Sequence, residues 1–371
     1  MVAVSFLIGN LNREHGGAQQ LLYDICCRLP PSFDATVYYM FGEGTYRSAF
    51  EDEDVAVVGV DADSNYDARA FRRLVAELRD DQPEILHTNS TISGVWGRVA
   101  GSLAGVPNIV SVEHNVHDSY RTFARYANGL TLLLADVAVG VSESVTNSLF
   151  GKRLLAASGV DRRTIYNGVD ISRIETSFVD SESSFTEHTG LDPGTPTVGT
   201  VGRLSEQKGF DVLLEAFPAV QSRVEDAQLV VVGGGPARDE LETKAETLGI
   251  AEDVVFTGYL HSIFPLLPEF TVATFPSRWE GFGLAPAEAM VARRPIVATN
   301  IPAFREVIGD DGVLVPPENP QALGTAIGSL LQDDQRRTEL GEAGYKRVTE
   351  RFSIDRTVHE YVSLYEEQIE S

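Results

Sequence analysis

Short runs of apolar, β-branched residues alternate with helix-period segments along almost the whole chain, and this alternation limits the fold more than any other feature. "VAVSFLI", "ATVYYMF", "VAVVGV", "EILHTN", "NIVSVEH" and "DVAVGVS" are strand-like, separated by helical runs such as "AQQLLYDICCRL" and "ARAFRRLVAELRDD". The second half repeats the order with "PTVGTVG", "QLVVVGG", "VVFTGY", "TVATFPS" and "PIVATN" as strands and "GFDVLLEAFPAV", "ARDELETKAETLGI" and "LAPAEAMVA" as helices. Strands joined through helices run parallel, with helices on both faces of the sheet. At 371 residues the chain exceeds one ordinary core. The pattern therefore predicts an α/β protein of two doubly wound, Rossmann-like domains facing an interdomain cleft, over residues 1–170 and 171–351. The polar, Ser-rich "IYNGVDISRIETSFVDSESSFTEHTG" reads as a linker between them, and the tail from Phe352 as an amphipathic helix.

Composition narrows the partners. With 43% hydrophobic and 23% charged residues the chain is globular and core-forming. A net charge of −24 argues against nucleic acid, whose phosphates need Lys and Arg. The charge is unevenly shared, −7 over residues 1–170 and −17 over 171–371. The basic residues are 26 Arg and 4 Lys, which suits a high-salt, halophilic cytoplasm or, equally, GC-rich codon usage. Cys26 and Cys27 are adjacent and lie in an apolar-periodic run, so they read as core residues of a reducing compartment. The N-terminal apolar run lacks a basic flank and reads as a strand, not a signal peptide. No window approaches the roughly 18 apolar residues of a membrane span. The expectation is a cytoplasmic protein, at most peripheral to the inner face of the membrane. Arg69, Arg72, Arg73 and Arg79 in the first half offer either an anionic-lipid contact or, more commonly for such a face, plain solvation.

In doubly wound sheets ligands bind beyond the carboxyl ends of the strands, where loops meet helix N-termini. Gly16 and Gly17 follow the first strand and precede a helix; such a pair lets backbone N–H groups approach phosphate, or is a plain turn. Arg203 and Lys208 flank the corner after the first strand of the second half. Two cations there could clamp a diphosphate, and a Lys is a rare choice in this chain. "RWEGFGLAPAEAM" places Glu280 before a glycine turn and Glu288 one turn into the following helix. The amides of Phe282, Gly283 and Leu284 open that helix as an anion nest. A carboxylate at Glu288 suits a vicinal diol such as ribose, and one at Glu280 suits sugar hydroxyls; dipole compensation and a loop acid are the bland alternatives. Gly233, Gly234 and Gly235 fail the dinucleotide fingerprint, because its third glycine would fall at Arg238. His87 and His114 end strands of the first half, where they could serve an acceptor together with Asn89 and Asn115, or be structural. No His/Cys/Asp cluster has metal-ligand spacing, so no metal is expected.

Taken in order, "GGAQ", "EHN", "YNGVD", "VGRLSEQKGFDVLLEAF", "VVFTGY", "EGFGLAPAEAM" and "FSIDRTVHEYVSLYEE" resemble the retaining glycosyltransferases of family 4, which have the GT-B fold. The resemblance runs from about residue 6 to 367, and Glu280 and Glu288 match the family's E-x7-E motif. It implies a nucleoside diphosphate sugar donor (UDP- or GDP-linked) on the second domain, a sugar, glycan or lipid-linked acceptor on the first, and no required cofactor. Arg203 and Lys208 would hold the diphosphate, with Gly17 approaching it. Glu288 would hold the ribose; Glu280 and the amides of Phe282, Gly283 and Leu284 the transferred sugar. His114 would contact that sugar, Tyr259 would lie near the base, and the helix from Phe352 would pack back onto the first domain. The chain departs from the family where Arg293 stands two residues before Pro295 in place of the usual Gly, and where Ile301–Glu306 replaces a Gly-Gly-x-x-E loop. A nucleotide-sugar epimerase of the same fold and a non-catalytic nucleotide-sugar sensor are the alternatives.

Overall fold

The computed structural model describes residues 1–12, 17–149 and 159–370. The chain divides into two compact units, Met1–Gly168 with Ile354–Ser371, and Val169–Ser353.

The first unit is built on seven strands: β1 (Val2–Asn10), β2 (Phe33–Phe41), β3 (Ala56–Gly59), β4 (Ile85–Asn89), β5 (Asn108–Glu113), β6 (Val137–Gly140) and β7 (Asp161–Thr164). They lie in the order β3-β2-β1-β4-β5-β6-β7, with each pairing parallel. The chain winds outward one way from β1 and then the other way from β4, so β1 and β4 flank the switch point. β4 is buried along its whole length, as expected of a central parallel strand covered on both faces. The final helix, Ile354–Glu370, belongs to this unit and buries Ile354, Val358, Tyr361, Val362, Leu364 and Tyr365. Thr357 Oγ1 donates to the Tyr166 carbonyl at 2.8 Å, and Arg163 pairs with Glu367 at 2.9 Å.

The second unit repeats the plan with β8 (Thr197–Val201), β9 (Gln228–Val232), β10 (Val254–Gly258), β11 (Val272–Phe275), β12 (Ile296–Thr299) and β13 (Val313–Val315), ordered β10-β9-β8-β11-β12-β13 and all parallel. Its switch point lies between β8 and β11. From Val169 onward the stretch expected to be a linker is instead part of this unit. Residues Ile171–Thr176 and Ser181–Thr189 are helices that bury Ile174 and Phe185. The Asp170 side chain caps the first by accepting from Arg173 N at 3.0 Å. Two well-spaced apolar residues and a cap outweigh the polar composition of that segment.

No helix among the described residues is long and apolar enough to cross a membrane. The arginine-bearing helix Ala68–Asp81 turns Ala70, Leu74, Val75 and Leu78 into the core. Of its arginines, Arg73 pairs with Asp61 at 2.6 Å and Arg79 donates to the Leu103 carbonyl at 2.9 Å, so part of that charge is spent locally.

Candidate functional site

The switch point of the second unit holds a preset pair of charges. After β8 the chain passes through a single 3-10 turn, Glu206–Lys208, to Gly209, which starts the helix Phe210–Gln221. Gly209 has φ +65°, and a Cβ there would stand 2.2 Å from the Pro276 carbonyl oxygen. Only glycine lets the β8 corner press against the β11 corner this closely. Lys208 is thereby carried to the loop after β11, where its Nζ meets Glu280 Oε1 at 2.6 Å. The same oxygen accepts from Ser277 Oγ at 2.9 Å, and Glu280 Oε2 accepts from Gln207 Nε2 at 3.3 Å. Gln207 Nε2 also donates to the Trp279 carbonyl (3.0 Å), and Arg278 N donates to the Gln207 carbonyl (2.8 Å). Loop and turn are thus stitched together at side-chain and backbone level. Glu280 is largely buried, which a carboxylate tolerates only with such partners.

Arg278, to which the sequence reading gave no role, latches this corner from outside. It makes a bidentate pair with Asp211 (2.9 and 2.8 Å), an ion pair with Glu318 (2.6 Å) and a bond to the Glu206 carbonyl (2.7 Å). The Arg278 guanidinium holds the Asp211 carboxyl below its ordinary range, and Asp211 in turn raises the guanidinium further. A fork-shaped donor facing a helix-start acid was the signal available in "RWEG" and "GFD".

The other expected donor residues occupy the same ends of strands. Arg203 follows β8 and is exposed; Tyr259 follows β10, 42% exposed, with its ring edge-on to His261 at 5.7 Å. The helix Leu284–Val291 begins just after Gly283 and carries Glu288, partly buried, on its second turn. The Phe282 side chain is core: it is 3% exposed and edge-on to Phe352 at 5.3 Å, which leaves only its backbone for a ligand. The triple glycine is a backbone junction. Gly233 N donates to the Gly258 carbonyl at 3.0 Å, Leu204 N donates to the Gly234 carbonyl at 2.9 Å, and a Cβ on Gly233 would lie 2.0 Å from the Gly202 carbonyl oxygen. Arg293, in the place where the resemblance expects glycine, adopts φ +54°. A non-glycine residue in this region is strained, and here the guanidinium sits 3.6 Å from the Tyr345 ring centroid and 3.2 Å from Glu342.

In the first unit, Gly17 opens the helix Gly17–Cys26, while Gly16 lies outside the described residues. At the end of β1, Gln19 Nε2 donates to Asn10 Oδ1 at 2.9 Å. His114 follows β5, with Nε2 3.1 Å from Asn89 Oδ1; burial pulls its pKa down to about 4, so the ring is neutral at pH 7. His87 does not reach the strand ends as expected. It is 1% exposed and faces the final helix, with Nδ1 2.6 Å from Tyr365 Oη and the ring against Phe6 and Tyr361. Burial, with His114 nearby, lowers its pKa to about 3. In alternation along β4, the side chain of residue 87 goes to the face covered by the final helix. Asn115, half-buried, is engaged within its own loop, where its Oδ1 accepts from Val116 N at 2.9 Å.

Beneath His114 lies a charge pair invisible to sequence reasoning. Arg98 is wholly buried and faces Glu113, itself 1% exposed, at 3.5 Å. Arg98 also donates to Thr131 Oγ1 (2.8 Å) and to Asn128 Oδ1, while Tyr120 Oη donates its one proton to Glu113 Oε2 at 3.1 Å, with the Asn115 carbonyl 3.4 Å away. Burial pushes the Glu113 carboxyl up and pulls Arg98 down to about 10, the ion pair opposing both shifts. Tyr120 therefore ties the loop of His114 to a buried anchor. Among the described residues, no group of three or more His, Cys, Asp or Glu is placed to hold a metal ion.

Two parallel doubly wound units, the second with a Lys–Glu pair at its switch point and a second glutamate at the next helix start, give the chain the GT-B fold seen in glycosyltransferase structures. Residues 15–173 match the model "Glycosyltransferase Family 4" and residues 195–333 match "Glycosyl transferases group 1". The chain belongs to glycosyltransferase family 4. It is similar to an uncharacterized glycosyltransferase of Methanocaldococcus jannaschii, 31% identical over 55% of this chain and 53% of that protein. It is also similar to the lipopolysaccharide core biosynthesis mannosyltransferase LpsB of Rhizobium meliloti, 29% identical over 58% of this chain and 63% of that protein. The matched stretches thus span just over half to under two thirds of these relatives' lengths. The crystal structure of Anabaena Alr3699/HepE in complex with UDP and glucose superposes with a TM-score of 0.84 at 22% identity, covering 99% of this chain and 100% of that one.

Proposed function

We propose that the chain transfers a sugar from a nucleoside diphosphate sugar to an acceptor hydroxyl, with retention at the anomeric carbon and without a required metal. The observation that carries this reading is the Lys208–Glu280 pair at the β8/β11 switch point. An ammonium has three donors, so Lys208 can keep Glu280 and still meet a diphosphate oxygen. Arg203, exposed after β8, supplies a second positive charge to the leaving group. The Leu284 helix start receives the diphosphate or the sugar, Glu288 accepts from the ribose diol, and Tyr259 lies by the base. Glu280, fixed by three donors, orients sugar hydroxyls and stabilises positive charge developing at the anomeric carbon. The leaving phosphate accepts the acceptor's proton as the new bond forms on the face from which the phosphate departs, with no covalent enzyme intermediate.

Unit 1 serves the acceptor. His114, neutral at pH 7, offers a sugar hydroxyl an uncharged hydrogen bond, and Asn89 Nδ2 is buried without a partner beside it. The similarity to a lipopolysaccharide-core mannosyltransferase supports a glycan or lipid-linked acceptor, and the likeness to a protein solved with UDP and glucose supports a nucleotide sugar.

The test is a panel of UDP-, GDP- and ADP-sugars with candidate acceptors in excess EDTA, following nucleotide release and the anomeric configuration of the product by NMR. Acceptor-dependent release with retained configuration is expected. Release that no acceptor stimulates, or an epimerised donor, would overturn the reading.

A further inference from the structure

The helix Thr122–Thr131 is built inside out. Its inner face is polar: Asn128 and Gly129 are its buried residues, and Asn128 and Thr131 accept from the fully buried Arg98. Its outer face, continued by the 3-10 turn Leu132–Leu134, shows Phe123 (71% exposed), Tyr126 (48%), Leu130 (61%) and Leu134 (42%). The spacing of three, four and four residues aligns them as one stripe. The helix Ala68–Asp81 of the same unit does the reverse, with apolar residues in and charges out. An ordinary surface helix follows that second pattern.

The charge of this stretch is equally unlike its surroundings. Between Asp118 and Asp136 there is no acidic residue, in a chain carrying 54 Asp and Glu against 30 Lys and Arg. The only charged residues there are Arg121, which is exposed, and Arg125, whose guanidinium lies 5.8 Å from the Tyr126 ring centroid. At physiological ionic strength charges are screened beyond about 8 Å, so a docked partner feels this local field and not the net −24.

We infer that this stripe docks on a lipid bilayer surface bearing anionic phosphate headgroups, with Phe123, Tyr126, Leu130 and Leu134 entering the interface and Arg121 and Arg125 meeting phosphates. Aromatic and leucine side chains flanked by arginine are the composition that an in-plane interfacial helix uses. A second copy of the chain is the poorer occupant. Four side chains on one short helix fall far below the roughly 800 Å² per partner of a stable protein interface. Each copy would also bring the same excess of negative charge. The inference stands apart from the catalytic reading, since it uses none of those residues.

The test uses the full chain and vesicles of phosphatidylcholine with or without phosphatidylglycerol. Cosedimentation is expected with the anionic vesicles, weaker with neutral ones, and reduced about tenfold or more in Phe123→Ser/Leu130→Ser. Arg121→Gln/Arg125→Gln should lose the preference for anionic over neutral vesicles while keeping residual binding. A Tyr126→Trp reporter should shift its emission to the blue and be quenched by brominated lipid. Because Phe123 and Leu130 are exposed, the melting temperature of the serine variant should stay at the wild-type value. No sedimentation with either vesicle, undiminished sedimentation of the serine variant, or a dimer in light scattering that the serine variant dissolves would each overturn the inference.

Discussion

The two units share one topology and differ in what they place at its switch point. Around β8 and β11 the second unit sets charged groups in pairs: Lys208 on the largely buried Glu280, and Arg278 on Asp211 and Glu318. Around β1, β4 and β5 the described residues of the first unit set neutral polar groups, Gln19, Asn89 and an uncharged His114, above a buried ion pair, Arg98 with Glu113. The same winding thus yields a corner suited to a charged leaving group and a corner suited to hydroxyls. The lesson is that strand order fixes where a ligand sits, and the charge of the loops decides which kind.

The sharpest way to break this comparison is at Lys208. Lys208→Ala should lower turnover with a nucleotide sugar on the order of 10²–10³-fold, as loss of a single transition-state donor does. It should leave the melting temperature within a few degrees, and steady-state kinetics beside calorimetry will show whether both hold. Next comes the buried pair of the first unit. Arg98→Met should cost about 3 kcal/mol by leaving Glu113 alone in the core, and Arg98→Met/Glu113→Gln should recover much of it. Denaturant titration of the two variants decides; equal losses would mean that the pair is not the anchor described.

A smaller effect is expected with pH. His87 and His114 have folded pKa values of about 3 and about 4, below the ordinary value near 6.5. Folding therefore favours their neutral forms. The stability they contribute is fully present above pH 6.5 and is lost progressively as pH falls toward 4. Melting scans from pH 7 to pH 4 should show this fall, and His87→Gln, which keeps a polar partner for Tyr365, should flatten it. The same depression predicts no His114-dependent limb near pH 6.5 in the turnover profile. Smallest of all is Arg293→Gly, in which release of a left-handed strain offsets loss of the Tyr345 contact; a net change below about 1 kcal/mol is expected from melting curves.

Much of the architecture was legible because a buried parallel strand leaves an apolar run and its crossover helix leaves a 3.6-residue period. Residues Ile171–Thr189 escaped because two buried residues, Ile174 and Phe185, carry helices that are otherwise Ser-rich. Within the candidate site, the corner residues could be read from their place after strands, yet their pairing could not. That Lys208 meets Glu280 depends on Gly209 lying against Pro276, a contact between segments some seventy residues apart. His87 was misjudged because residue number within a strand does not say which face is covered by a helix that arrives 278 residues later. Arg98 gave no sign at all: in sequence it is one more arginine in a small-residue helix.

The second unit begins and ends at one place. Val169 and Ser353, its first and last residues, form a parallel bridge, and Val169 N donates to the Phe352 carbonyl at 2.9 Å. A block whose two ends touch can be cut from a gene and exchanged for another such block without threading any chain. Recombination could in that way replace the second unit of the chain while the first stays untouched.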